Sequence, residues 1–259
     1  MATTPGTTPP ALVAFDLDDT LAPSKQPLPD AMVAALGTLL TRVPVCVISG
    51  GDVGQFRTQV VDRMAGHDLA GLHLMPTCGT RYVRVEGGQM VEIYAHLLND
   101  DLRAAAAASL ETRARELGLW ETDTWGPVIE DRGTQVTFSA LGQSAPVDAK
   151  RAWDPTGEKK ERLRAAVQGD LPELEVRSGG STSVDITRRG IDKAYGMTAL
   201  AERTGIALED MLFVGDRLDE GGNDRPVLDL GVPCQAVDDW EETVAVIGAV
   251  IDRLDAARG

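Results

Sequence analysis

"AFDLDDTLAP", residues 14–23, sets Asp16, Asp18, Asp19 and the hydroxyl of Thr20 directly behind the apolar run "ALVAF" (11–15). A short run that is apolar at every position and stops at polar residues is the pattern of a parallel strand covered on both faces. Carboxylates crowded at the end of such a strand repel one another unless a cation compensates them. "PDAMVAALGTLLTR" (29–42) follows with apolar residues at helical spacing, and "VPVCVISGG" (43–51) reads as a second buried strand stopped by glycines. The unit is strand, helix, strand.

The far end repeats this alternation. "IDKAYGMTALAERTG" (191–205) reads as a helix and "MLFVGD" (211–216) as a buried strand, with "RPVLDLG" and "VPCQAV" continuing the pattern. The middle differs: "RYVRVEGGQMVEIYAH" (81–96) carries two β-rich runs about a Gly-Gly turn, the mark of an antiparallel hairpin. An Ala-rich helix over 102–118, "TQVTFSA" (134–140), a charged helix over 158–168, "LEVRSG" (174–179) and "STSVDIT" (181–187) complete an α+β segment. The expected fold class is therefore α/β, a Rossmann-like core with a parallel sheet interrupted by an inserted α+β cap. The expected boundaries are a disordered tail over 1–10, a core over 11–79 and 186–259, and a cap over 80–185, with linkers near Thr80 and Thr187.

Bulk properties exclude several classes. A chain of 259 residues suits one large domain or two modest ones. No apolar run approaches the ~18 residues of a membrane span. The net charge of -15 disfavours nucleic acid as a partner but permits a small anion at a local cationic site. Cys46, Cys78 and Cys234 lack the spacing of a zinc site or the even count of a disulfide scaffold. "MATTPGTTPP" (1–10) has no basic residue and no apolar stretch, which argues against a secretory signal and points to the cytoplasm.

In a parallel sheet, ligands sit beyond the carboxyl ends of the strands. Those ends carry Asp16 and Asp18, then Ser49 and Gly50, then Asp216, with Asn223 and Asp224 in the next loop and Lys193 near a helix start. The set holds carboxylates for a divalent cation, and a hydroxyl and an ammonium for an anion, which is the inventory of a phosphoryl-transfer site. Clustered acids are tolerable when a hard cation such as Mg²⁺ neutralises them. Asp16 can then attack phosphorus, while Asp18, its pKa raised by the neighbouring like charge, serves as acid and base. Ser49 and Lys193 would hold the phosphoryl oxygens. Singly, each motif also reads as an ordinary Asx turn, strand exit or solvated residue; in this order, at successive strand ends, they point to one site.

"DLDDT", "VISGG", "GIDK" and "VGD" followed by "GGND" resemble, in order and spacing, the four motifs of the haloacid dehalogenase superfamily. The middle segment resembles the cap of its sugar-phosphatase branch (the Cof-type subfamily IIB). "RGTQVTFSALGQS", "GGSTSVDIT" and "GDRLDEGGND" are most similar to the eukaryotic-type phosphomannomutases. The resemblance implies Asp16 as nucleophile, Asp18 as acid/base, and Ser49 and Lys193 as phosphate-binding and charge-balancing groups. It implies Mg²⁺ held by Asp16, Asp216 and the Asp18 backbone carbonyl, with Asn223 and Asp224 behind them. Gly50, Arg132, Ser183 and Asp185 would contact substrate. The implied activity is hydrolysis of a sugar phosphate or similar small phosphorylated metabolite; phosphohexomutase and non-catalytic sensor are the alternatives, and the protein would be a monomer or a homodimer through the cap. Against the mutase stand Asp19, where the mutases have Gly, and Lys25, Gln143 and Lys150, where they have Arg. Bidentate Arg suits the far phosphate of a bisphosphate better than Lys or Gln.

Overall fold

The computed structural model describes residues 8–258, so most of the expected tail, residues 1–7, lies outside the described residues. Pro10 is already buried and Ala11 N–H bonds the Asp210 carbonyl, so the fold begins before residue 11. In chain order the elements are β1 (Leu12–Phe15), α1 (Asp30–Leu40), β2 (Val45–Ile48), α2 (Val53–Phe56), β3 (Leu72–Met75), β4 (Arg81–Glu86), β5 (Gln89–Ala95), α3 (Asp100–Glu116), β6 (Ile129–Asp131), β7 (Val136–Ser139), α4 (Val147–Trp153), α5 (Glu158–Asp170), β8 (Leu174–Ser178), β9 (Ser183–Arg188), α6 (Lys193–Thr204), β10 (Met211–Gly215), α7 (Arg225–Asp229), β11 (Cys234–Ala236) and α8 (Trp240–Ala256).

The chain forms two compact units, one from residues up to Ala95 together with Asp192 onward, the other His96–Ile191. In the first, seven strands run in the order β11-β10-β1-β2-β3-β4-β5. All pairs from β11 to β3 are parallel, and β4 and β5 add antiparallel. Alternation splits the parallel strands between two faces. Val13, Phe15, Val45, Val47, Leu72, Leu74, Leu212 and Val214 pack with Met32, Leu36, Ile247 and Val250 of α1 and α8. Leu12, Ala14, Cys46, Ile48, Met211 and Phe213 pack on the other side with Met197 and Leu200 of α6 and Val227 of α7. A face on each side explains why the runs are apolar without interruption.

The hairpin departs from the expected boundary. It does not belong with the cap: β4 pairs with β3, and Val83 and Val85 join the core around α1. The reason is the edge of β3, whose backbone groups would otherwise be left unpaired. The turn is Gly87-Gly88, with φ of 56° and 76°, as a tight hairpin requires. Thr80 is a buried residue of the first unit, its hydroxyl bonded to Thr77, and Thr187 lies inside β9. The chain therefore passes between units at 95/96 and 191/192.

The second unit is a four-stranded antiparallel sheet, β6-β7-β9-β8. Val136, Phe138, Val176, Val184 and Ile186 pack against Ala106, Leu110 and Ala114 of α3 and Leu163 and Val167 of α5. The intervening positions Gln135, Thr137, Ser183 and Asp185 are polar, as the period of two demands. No helix among the described residues is long and apolar enough to cross a membrane.

His73 on β3 is buried, its Nδ1 2.8 Å from the Tyr82 hydroxyl. Burial, with the Arg84 guanidinium adding to it, pulls its pKa down to about 4. The unfolded chain takes up this proton near pH 6.5 and the native state only near pH 4, so the stabilising contribution is complete above 6.5 and lost as pH falls from 6.5 to 4. The span corresponds to about 3 kcal/mol. Denaturation midpoints measured from pH 7 to 4 should fall less in a His73→Gln variant than in the wild type; identical slopes would refute this role.

Candidate active site

β1 occupies the middle of the parallel sheet with β2 on one side and β10 on the other, so the chain leaves β1 in one direction and returns beside it from the other. That switch opens a crevice at the carboxyl ends of the strands. Phe15 registers with Val47 and Val214, which puts Asp16, Ser49 and Asp216 at the ends of three adjacent strands. Asp16 is buried, with its N–H donating to the Val214 carbonyl at 3.0 Å.

Lys193 is the first residue of α6, whose N-terminus Asp192 caps by accepting the Tyr195 N–H. Its ammonium is 1% exposed and lies 2.5 Å from both Asp16 Oδ1 and Asp224 Oδ1. Carboxylate oxygens of Asp16, Asp216 and Asp224 lie within 4.8 Å of one another. Asp224, expected behind the ligands, is therefore part of the cluster itself. The loop after β10 folds back, with Asp224 N–H on the Arg217 carbonyl and Arg217 N–H on Asp224 Oδ2 at 3.0 Å. Asn223 beside it is exposed. Thr20, whose hydroxyl the sequence shows beside the acids but to which it gave no role, is fully buried and donates to Asp216 Oδ1 at 3.3 Å; its place in "DLDDT" was the available signal.

Electrostatics follow from one ammonium facing three carboxylates. Burial alone would lower the Lys193 pKa, but Asp16 and Asp224 outweigh it and hold the ammonium charged. Burial raises the Asp16 pKa far above the usual carboxylate range; Lys193 opposes this, while Asp224 and Asp216 add to it. Asp216 is raised by burial and by Asp224. With a single cation among three carboxylates, burial and mutual repulsion favour the neutral acids, and a further cation would oppose that tendency.

Gly215 allows this packing. A Cβ there would lie 2.4 Å from Asp224 Oδ2. Gly215→Ala is expected to push Asp224 off Lys193, at about 1–3 kcal/mol in stability and at least about tenfold in any turnover. Thermal melting and kinetics of the variant check this; wild-type values in both would refute it.

Asp18 differs from expectation. Its carboxylate faces Lys25 and Gln55, not the cluster: Lys25 Nζ is 2.6 Å and Gln55 Nε2 3.0 Å from Oδ2. Burial pushes its pKa up, but Lys25 and then Gln55 outweigh burial, and the net shift is down rather than up. Asp19 has φ 66°, a left-handed conformation in which glycine carries no strain. Ser49 is buried, its Oγ accepting the Gly51 N–H at 3.2 Å, and Gly50 is half-buried.

Three of the expected residues lie in the second unit. Asp185 on β9 accepts from Gln135 Nε2 at 2.8 Å and Thr137 Oγ1 at 2.7 Å, neither of which stood out in the sequence. Arg132 pairs with Glu130 at 2.7 Å, and Ser183 starts β9, half-buried. The structure thus gathers Asp16, Asp216, Asp224 and Lys193 into one cluster, and gathers Asp185, Gln135 and Thr137 into another.

A family profile described as a haloacid dehalogenase-like hydrolase matches residues 149–230, which include Lys193, Asp216 and Asp224. A phosphomannomutase of Encephalitozoon cuniculi is 24% identical over 227 residues, 82% of each chain. A haloacid dehalogenase-like hydrolase from Bacteroides thetaiotaomicron superposes with a TM-score of 0.64 at 16% identity, covering 92% of this chain and 98% of that one. In profile, sequence and fold the chain is similar to members of the haloacid dehalogenase superfamily. Plasmodium falciparum IMP-nucleotidase shares the fold as well, with a TM-score of 0.70 at 14% identity over 93% of this chain. This chain spans 66% of that nucleotidase's length. These likenesses indicate an enzyme of the phosphohydrolase or phosphotransferase kind.

Proposed function

We propose that the protein is a haloacid dehalogenase-type, Mg²⁺-dependent phosphatase of a sugar phosphate or similar small phosphorylated metabolite, acting through a phosphorylated Asp16. The observation that carries the reading is the buried Lys193 ammonium 2.5 Å from Asp16 and Asp224, beside the carboxylate of Asp216.

The residues fit a hard divalent cation: the donors are carboxylate oxygens gathered within 4.8 Å, carrying more negative charge than Lys193 balances. Asp16 and Asp216 would hold Mg²⁺ together with the Asp18 backbone carbonyl, and Asp224 is near enough to join them. When bound, the ion would neutralise the carboxylates and draw charge from a phosphoryl oxygen. Asp16 Oδ then attacks phosphorus, forming the O–P bond as the ester P–O bond breaks, and the departing oxygen takes, by way of Asp18, the proton that a monoanionic ester brings with it. Water attacks the aspartyl phosphate, Asp18 takes its proton, and inorganic phosphate leaves. Lys193 and the Ser49 hydroxyl hold the charge of the transferring oxygens. In the first unit Gly50 is a proposed substrate contact; in the second, Arg132, Ser183 and Asp185 are.

A phosphohexomutase is the second reading, favoured by relatives named phosphomannomutase. It needs cations for a second phosphate. Lys25 is engaged with Asp18, and Lys150 Nζ donates to the Gln143 carbonyl at 2.7 Å, which supports hydrolysis. Incubation with mannose 1-phosphate, Mg²⁺ and a trace of glucose 1,6-bisphosphate separates the two. Free phosphate is the expected product; mannose 6-phosphate appearing without phosphate would establish the mutase.

A further inference from the structure

Asp18 is held by a closed ring of polar contacts that the reaction scheme does not use. Lys25, seven residues on in the loop between β1 and α1, has φ 62°, in the left-handed region that a lysine seldom adopts. In this conformation one residue supplies two donors to one carboxylate: its backbone N–H lies 2.7 Å from Asp18 Oδ1 and its ammonium 2.6 Å from Oδ2. Gln55 closes the ring, with Nε2 3.0 Å from Asp18 Oδ2 and Oε1 2.9 Å from Lys25 Nζ. Each member therefore touches the other two.

The ring is also supported from outside. Asp52 Oδ1 accepts the Gln55 N–H at 2.8 Å and fixes the start of α2. A Cβ on Gly51 would lie 2.3 Å from Gln55 Oε1, so the glycine leaves room for the amide. Asp19 Oδ1 accepts the Ser24 N–H at 3.0 Å, bracing the loop that carries Lys25. An ordinary surface ion pair needs neither a left-handed lysine nor a second donor from another element.

We propose that Lys25 and Gln55 are positioning residues that fix the Asp18 carboxylate, and that Lys25 does not grip substrate. The proposal rests on the reading of Asp18 as the acid/base of a phosphatase. Both Oδ2 donors come from these side chains, so they decide where that oxygen stands when a leaving group or water reaches it. Displacing a reacting group by a fraction of an ångström slows chemistry without weakening ground-state binding.

The test is steady-state kinetics of Lys25→Met, Lys25→Arg and Gln55→Leu on whichever phosphate monoester the wild type hydrolyses best. Lys25→Met should lower kcat by about 10- to 100-fold and leave KM within about twofold. Lys25→Arg, which keeps a donor for Oδ2, should recover most of the loss, and Gln55→Leu should lower kcat in the same way but less. A raised KM with unchanged kcat would overturn the proposal and make Lys25 a substrate contact, and no recovery with arginine would overturn it as well. Carbon-13 NMR of the Asp18 carboxyl gives a readout that does not depend on turnover. Its resonance should move in Lys25→Met and in Gln55→Leu, and an unmoved resonance would dissolve the ring. A wild type that hydrolyses no phosphate ester while this resonance shifts as expected would refute the phosphatase reading and leave the contacts standing.

Discussion

Asp16→Asn is expected to abolish turnover, by about 10³-fold or more, without loss of stability in metal-free protein. The proposed nucleophile disappears, whereas the fold loses only one of three carboxylates crowded around a single ammonium. Burial, Asp224 and Asp216 all disfavour a charge on Asp16, and Lys193 keeps Asp224 at 2.5 Å after the substitution. The neutral amide should therefore leave the melting temperature in chelator unchanged or higher. Phosphate release and calorimetry on the same sample give both readings. Retained activity would remove Asp16 from the proposed chemistry, and a large drop in melting temperature would show that the cluster is held together differently.

Lys193→Met should have the opposite signature in stability. The Lys193 side chain is 1% exposed and bridges two buried carboxylates, so removal takes away the cation in direct contact with both. Breaking a buried pair from one side costs about 3–5 kcal/mol, a fall in melting temperature on the order of 10 °C. Activity should fall with it, since the transferring oxygens lose their positive neighbour. Added Mg²⁺ should restore part of the melting temperature by neutralising the same carboxylates. A variant as stable as the wild type in chelator would show that the carboxylates take up protons at no cost, contrary to the balance argued here. The contrast between the two variants isolates the electrostatic content of the site: both lose activity, and only one loses stability.

Where sequence reading succeeded, the physics was local. β1, β2 and β10 are uninterrupted apolar runs because each is covered on both faces, and their last residues are the ones a parallel sheet presents to a ligand. Lys193 was recognisable from its place near a helix start in "GIDK", and the structure adds that Asp192 caps that helix. The hairpin β4–β5 was recognised from its Gly-Gly turn but assigned to the cap, because its own pattern carries no information about which sheet edge it covers. The Asp18 carboxylate shows the same limit. Two neighbouring acids in "DLDD" suggest a raised pKa for Asp18, yet its closest partners are Lys25 and Gln55, 7 and 37 residues away.

By itself, the amino-acid order determined the α/β alternation, the chain ends that build the sheet, and the identities of Asp16, Ser49, Lys193, Asp216 and Asp224 as groups at strand and helix termini. Each of these depends on periodicity or capping within a few residues. Only the tertiary structure decided that Asp224 meets Lys193 directly, that Thr20 bonds Asp216, that Lys25 neutralises Asp18, and that Gln135 and Thr137 donate to Asp185. Those contacts arise where separate segments are brought within about 3 Å. Both the direction of a pKa shift and the partner of a buried charge are set by that juxtaposition, which no local pattern encodes.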